Sequence, residues 1–306
     1  MKTEIPSGIY PTMITPYTED NKIDFDAVEQ ILWWYNGKVD GVFAACQSSE
    51  IFYLSHEEKL ELINFIMAHK PKDMTIVASG HTEDDLDTQI KQAAAYMESG
   101  MDAYVFISNR FVNPEDSDEL LVERMLNAVD KLPECLFGVY ECPHPYKREL
   151  SPFVMKSLAD SGKFCFVKDT CCDLDKIAAK LDAVKGTNLK IYNANASTFL
   201  SSIQLGCEGF SGIMANFYPE IFREIFRCFK TDPERAKKLQ ALAGFCSLAE
   251  GQRYSCNAKY FLQLEGLKLT TLSRSTNVAN FSAEDKRLVE QLHDMVVNFK
   301  ADMGIK

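Results

Sequence analysis

Eight short apolar runs, each followed by a stretch of helical spacing, constrain this chain more than any other feature. The runs lie at residues 8–15, 41–45, 75–79, 103–107, 135–140, 164–168, 189–193 and 209–212. Helical patterns follow them at 24–38, 55–68, 83–99, 117–131, 151–160, 173–184, 197–205 and 219–230. Short apolar runs bounded by turn signals suit strands buried on both faces, as in a parallel sheet. The helices carry their own punctuation: Asp24 and Ser151 as N-caps, Ser55 with Glu58 as a capping box, and Gly100 as a stop. Eight such units within about 230 residues predict an α/β fold, a (β/α)8 TIM barrel, over residues 1–231. A doubly wound open sheet competes, but it usually has fewer strands and a G-x-G-x-x-G turn, which this chain lacks. Residues 232–306 read as helical near 233–249, 256–267 and 282–301, with a Thr-, Ser- and Asn-rich loop at 270–280. They are expected to form a C-terminal helical extension packed on the barrel.

The formal net charge of −11 disfavours nucleic acid and anionic membranes as partners. No apolar run approaches the roughly 20 residues that span a bilayer, and no signal peptide is evident. The ten cysteines lie mostly in apolar segments and form no C-x-x-C pair, which points to free thiols in a reducing cytoplasm. The five histidines are scattered, so no metal site is expected. Neither a phosphate loop nor a trustworthy Ser-His-Asp order is present, and no cofactor is expected.

In a barrel the C-terminal strand ends converge on one pocket. That rule gathers Thr15, Gln47, Ser48, Ser49, Glu50, Arg110, Phe111, Tyr140, Lys168, Asn193, Ser211 and Gly212 as candidates. Lys168 closes the run Phe164-Cys165-Phe166-Val167, and alternation puts Phe164, Phe166 and Lys168 on one face. A lysine there either pairs with an acid, such as Asp169 or Glu50, or loses its proton to desolvation and becomes a nucleophile. Tyr140, one strand away, can handle protons. A lysine, a tyrosine and a hydroxyl-bearing loop suit imine chemistry on a 2-oxo acid. Ser48 and Ser49 can hold its carboxylate or merely shape a turn. Glu50 reads as a structural hydrogen-bonding partner, and His81 and His144 as polar loop residues.

These residues resemble the dihydrodipicolinate synthase and N-acetylneuraminate lyase family of Schiff-base barrels, over nearly the whole chain. Pro11-Thr12-Met13-Ile14-Thr15-Pro16, then Ile23-Asp24, looks like the family's opening. Cys46-Gln47-Ser48-Ser49-Glu50, then Leu54-Ser55-His56-Glu57-Glu58, stands at the place of its carboxylate loop. Tyr140 with Pro143 resembles its Tyr-Asn-x-Pro, and Val167-Lys168-Asp169-Thr170 its Lys-(Glu/Asp)-(Ser/Thr). The resemblance implies that Lys168 forms an imine with pyruvate or another 2-oxo acid, that Tyr140 relays protons, and that Ser48 and Ser49 bind the carboxylate. It also implies a homo-oligomer, a tetramer or dimer.

Three positions depart from the family pattern. Gln47 stands where many members have the Ser or Thr of the proton relay. Phe111 stands where the synthases donate a tyrosine across a dimer, and Pro145 where they carry an arginine for the second substrate. The expected activity is therefore a Schiff-base aldolase or lyase rather than a true dihydrodipicolinate synthase. Gln47, Ser48, Ser49, Arg110, Phe111, Ser211 and Gly212 are the expected substrate contacts. Glu141, His144, Tyr146, Lys147, Arg148 and Arg110 are available to read a different second substrate. A sugar-acid dehydratase and a catalytically impaired, acid-binding barrel are the alternatives.

Overall fold

In the computed structural model, which describes residues 4–305, the eight apolar runs form one sheet of parallel strands. They are β1 (Gly8–Ile9), β2 (Gly41–Ala44), β3 (Thr75–Ala78), β4 (Ala103–Ile107), β5 (Leu136–Tyr140), β6 (Phe164–Asp169), β7 (Lys190–Asn193) and β8 (Gly209–Phe210). The helices that follow them in turn are α1 (Phe25–Tyr35), α2 (His56–His69), α3 (Leu86–Met97), α4 (Asp118–Asp130), α5 (Pro152–Asp160), α6 (Leu174–Ala183), α7 (Phe199–Leu205) and α8 (Pro219–Cys228). Pairing runs β1-β8-β7-β6-β5-β4-β3-β2. The ring closes where Phe43 N–H donates to the Pro11 carbonyl and Met13 N–H to the Phe43 carbonyl, each at 2.9 Å. The architecture is the (β/α)8 barrel.

The first strand is shorter than the apolar run that predicts it. Pro11 has no N–H to extend the ladder with β8, and beyond it the chain turns to bond β2 instead. At the β1–β8 seam a Cβ on Gly209 would sit 1.9 Å from the Gly8 carbonyl oxygen. Only glycine lets the two backbones approach this closely there. The third helix starts at Leu86 rather than Glu83, because Asp85 caps it by accepting the Thr88 N–H at 2.8 Å.

Inside the barrel, aromatic side chains form the packed filling. Phe166 stacks on Tyr192 with centroids 4.5 Å apart and meets Tyr10 and Phe43 edge-on at 5.7 and 6.0 Å. This filling is the floor on which the C-terminal mouth stands.

The chain then continues as α9 (Pro233–Cys246), α10 (Cys256–Leu264) and α11 (Ala283–Asp302), with α9 packed on α8 and α10 on α11. The helix expected over 233–249 gives way after Cys246 to a tighter 3-10 turn, Ser247–Gly251. Among the described residues no helix is long and apolar enough to cross a membrane. None of the ten cysteines is in a disulfide.

Candidate active site

β6 carries Phe166 and Lys168 on its inner face, so Lys168 stands directly on the aromatic floor. Phe164, expected on the same face, packs against Phe106 and Phe137 instead, because the pairing with β5 slips by one residue between Phe137 and Gly138. Register sets Tyr140 of β5 and Tyr192 of β7 on either side of it. The lysine is 5% exposed, with its Nζ 4.2 Å from the centroid of the Tyr140 ring and 5.8 Å from that of Phe43. Among the described residues it forms no ion pair. Both acids that could have paired with it are committed elsewhere: Asp169 meets Lys180 at 2.5 Å, and Glu50 meets Lys259 at 3.1 Å. Burial therefore holds the Lys168 amine below the ordinary lysine range. The salt-bridge alternative fails on this geometry.

A cavity of about 450 Å³ opens above Lys168. Tyr140, Gln47, Ser48 and Gly212 line it, as the strand-end rule expects. The Tyr140 hydroxyl donates to Gln47 Oε1 at 3.0 Å, and the Cys142 thiol reaches the same oxygen at 3.6 Å. Burial pushes the Tyr140 phenol well above its usual range, so it stays protonated and acts as a donor. Ser48 donates its hydroxyl to Thr12 at 3.0 Å.

Four expected substrate contacts lie outside the cavity lining. Ser49 is a turn residue: its hydroxyl donates to the Met13 carbonyl at 2.6 Å and its N–H to the Cys46 carbonyl at 2.9 Å. Arg110 turns away from the mouth at the end of a 3-10 turn, Ser108–Arg110. Its guanidinium donates to the carbonyls of Thr82 and Glu83 and to Asp84, at 2.6, 2.7 and 2.8 Å. Phe111 is core, edge-on to Phe106 at 5.0 Å. Ser211 is fully buried behind the lining.

The basic residues expected to read a second substrate are also occupied. Arg148 binds Asp118 at 2.7 Å, Lys147 pairs with Glu149 at 3.3 Å, and Tyr146 donates to the backbone of the 109–112 turn. Glu141 is buried against Lys180 at 2.5 Å and also accepts the Leu150 and Thr170 N–H groups. Of that set only His144 lines the cavity, its ring edge-on to Phe52 at 4.6 Å. His81, read as a polar loop residue, is fully buried. Its Nε2 accepts the Ile107 N–H at 2.9 Å, which leaves Nδ1 to donate to Tyr104 at 2.8 Å.

The C-terminal segment supplies a wall that strand-end reasoning missed. Glu250, Tyr254, Ser255, Ser275 and Thr276 all line the cavity. Glu50 anchors this wall. Its carboxylate accepts from the Ser255 hydroxyl at 2.9 Å, Lys259 Nζ at 3.1 Å, the Ser273 hydroxyl at 3.1 Å, and the N–H groups of Arg274 and Ser275 at 2.6 and 2.9 Å. The one available signal was Gly251 in the link between the helices expected at 233–249 and 256–267, the place where the chain enters the mouth.

A buried amine whose charged form is disfavoured, a phenol beside it and a hydroxyl-lined opening can together bind a small carbonyl compound and attack it. Residues 5–293 match the model of the dihydrodipicolinate synthetase family. A 4-hydroxy-tetrahydrodipicolinate synthase of Brachyspira hyodysenteriae is 23% identical over 214 residues, 70% of this chain and 71% of that protein. The wild-type sialic acid aldolase of Ruminococcus gnavus superposes with a TM-score of 0.86 at 19% identity, covering 98% of this chain and 100% of that one. A prophage protein of E. coli K12 from the dihydrodipicolinic acid synthase family, solved in complex with pyruvate, does so with a TM-score of 0.86 at 18% identity, covering 95% and 98%. At these identities the two structures speak to the fold alone. The family match spans nearly the whole chain, and the chain belongs to the dihydrodipicolinate synthetase family.

Proposed function

We propose that this chain is a lyase that forms an imine between Lys168 and pyruvate or a related 2-oxo acid. The observation that carries the reading is Lys168 itself, a buried amine at the floor of the cavity that forms no ion pair among the described residues. Desolvation favours the neutral, nucleophilic form. The amine attacks the ketone, water leaves, and the protonated imine becomes a sink for electrons from the neighbouring C–C or C–H bond. Tyr140 and Ser48 line the cavity. On binding, Tyr140 switches its hydroxyl proton from Gln47 to the charge developing beside the reacting carbon, and Ser48 switches its own from Thr12 to the carboxylate. Support for a 2-oxo acid also comes from the pyruvate bound in the E. coli relative.

The second substrate is read as a polyhydroxylated, sugar-derived compound rather than the partner used by a dihydrodipicolinate synthase. No arginine lines the cavity, whereas Thr170, Asn195, Ser275, Thr276 and Tyr53 do. Such a wall suits hydroxyl groups better than a second carboxylate.

Borohydride reduction in the presence of pyruvate tests the reading. A stable mass increase on the peptide carrying Lys168 is expected, and Lys168→Ala should abolish it. No adduct with any 2-oxo acid tested, together with full turnover by Lys168→Ala, overturns it.

A further inference from the structure

We infer that Glu250 takes and returns the C3 proton of the 2-oxo acid held on Lys168, in place of the hydroxyl relay that this chain lacks. The inference rests on the imine chemistry proposed above and assigns a step that chemistry leaves without a base. Making the enamine, or protonating it after C–C cleavage, requires a group that alternates between base and acid.

The obvious candidates are committed. Tyr140 donates to Gln47 and stays protonated. Gln47 itself has no ionisable proton, and Phe111 offers no hydroxyl. Glu50 has five hydrogen-bond donors on its two oxygens. The Tyr254 hydroxyl accepts from Asn216 at 3.3 Å and is held protonated by burial.

Glu250 differs from all of these. The 3-10 turn Ser247–Gly251 brings it to the wall of the same cavity as Lys168 and Tyr140. Its Oε1 is buried and has no hydrogen-bond partner among the described residues, and the carboxyl is in none of their ion pairs. A buried carboxyl oxygen left unmatched costs stability, and such groups in native proteins call for an explanation. The groups that face it electrostatically are Lys168, Tyr254 and Tyr218. Burial raises its carboxyl to about 7, opposed by the Lys168 charge, so both protonation states are accessible near neutrality.

The step balances as follows. With pyruvate on Lys168 as a protonated imine, the Glu250 carboxylate removes one C3 proton. The C–H pair becomes the C2=C3 bond, and the C=N pair settles on nitrogen, giving an enamine and a neutral Glu250. In the reverse sense neutral Glu250 returns the proton to C3, and water then hydrolyses the imine to free acid and amine. In aldol cleavage the same carboxylate takes the C4 hydroxyl proton as the C3–C4 bond breaks. It hands that proton to C3 after the aldehyde leaves.

Pyruvate alone tests this, with no second substrate. The full chain is incubated with pyruvate in D2O, and loss of methyl protons is followed by NMR. In parallel, borohydride trapping reports the imine. Wild type should trap pyruvate and exchange its methyl protons, with an exchange rate that rises through about pH 7 as Glu250 ionises. Glu250→Gln should still trap pyruvate, showing an intact site, but exchange at least about 100-fold more slowly. Glu250→Asp should restore part of the rate. Exchange at the wild-type rate in Glu250→Gln overturns the inference, and so does loss of trapping and exchange together, which marks a structural role. A wild type that traps no 2-oxo acid overturns the imine reading itself, and the inference with it.

Discussion

Tyr140 donates its hydroxyl proton to the side-chain carbonyl of Gln47 at 3.0 Å, while its ring lies 4.2 Å from the Lys168 amine. One side chain thus does two things. The ring face sets the position of the amine, and the hydroxyl is held by an amide that can accept a hydrogen bond but cannot pass a proton on.

Tyr140→Phe separates those two contributions. The ring remains, so Lys168 keeps its place and borohydride still traps pyruvate. Losing one neutral hydrogen bond should cost about 1 kcal/mol of stability. Turnover should fall about 10–100-fold, because a donor near the developing charge is gone. Urea denaturation and trapping kinetics check the two halves. Loss of trapping altogether would show that the hydroxyl, not the ring, places the amine.

Lys168→Met should stabilise the fold while abolishing the imine. It replaces a buried amine that has no ionic partner among the described residues by an apolar chain of similar length, a gain of about 1–3 kcal/mol. The sign with pH is fixed by linkage. The amine's pKa is lower in the folded state than the ordinary 10.5, so the unfolded chain binds more protons and wild-type stability rises with pH across that interval. The advantage of Lys168→Met should therefore be greatest on the acid side and narrow as pH climbs toward 10.5. Urea midpoints at several pH values measure it.

Much of the barrel was legible because a strand buried on both faces must be apolar throughout, and eight such runs leave few architectures. Lys168 was legible for the same reason: a charge at the end of the run 164–167 is conspicuous. Arg110 and Phe111 were misplaced because proximity to a strand end does not set side-chain direction. The 3-10 turn after β4 aims Arg110 at the carbonyls of Thr82 and Glu83, which the start of α3 at Leu86 leaves open. Glu250 and Tyr254 were missed because they enter the mouth from the short link between the helices expected at 233–249 and 256–267, far in sequence from any strand end. Their approach depends on Glu50, a contact spanning some two hundred residues that no local pattern encodes.

Glu50→Ala should loosen that wall. It strips the partner from Lys259, whose side chain is fully buried, and from the N–H groups of Arg274 and Ser275. Leaving a buried charge unpaired costs about 3–5 kcal/mol. The double variant Glu50→Ala/Lys259→Met removes the stranded amine and should recover part of that loss. Ser255 and Ser275 line the cavity, so the single variant should also weaken pyruvate binding. Denaturation of both variants, with pyruvate titration of the single one, decides the matter; equal stability of the two would show that Lys259 finds another partner.

His81 makes the barrel sensitive to acid. Burial and the nearby charges of Arg110 and Lys59 lower its pKa from 6.5 to about 3, and its Nε2 must be unprotonated to accept the Ile107 N–H. Between those values the unfolded chain binds a proton that the folded chain refuses. Stability therefore falls as pH drops below about 6.5, by up to about 1.4 kcal/mol per pH unit. His81→Gln keeps an acceptor for the Ile107 N–H and removes the titration. It should be less stable than wild type at neutral pH, because the contact with Tyr104 is disturbed, yet lose about 2 kcal/mol less than wild type between pH 6.5 and 5. Urea denaturation of both proteins across that range gives the difference directly. Parallel pH dependences would show that His81 is protonated inside the fold, with the Ile107 N–H bonded elsewhere.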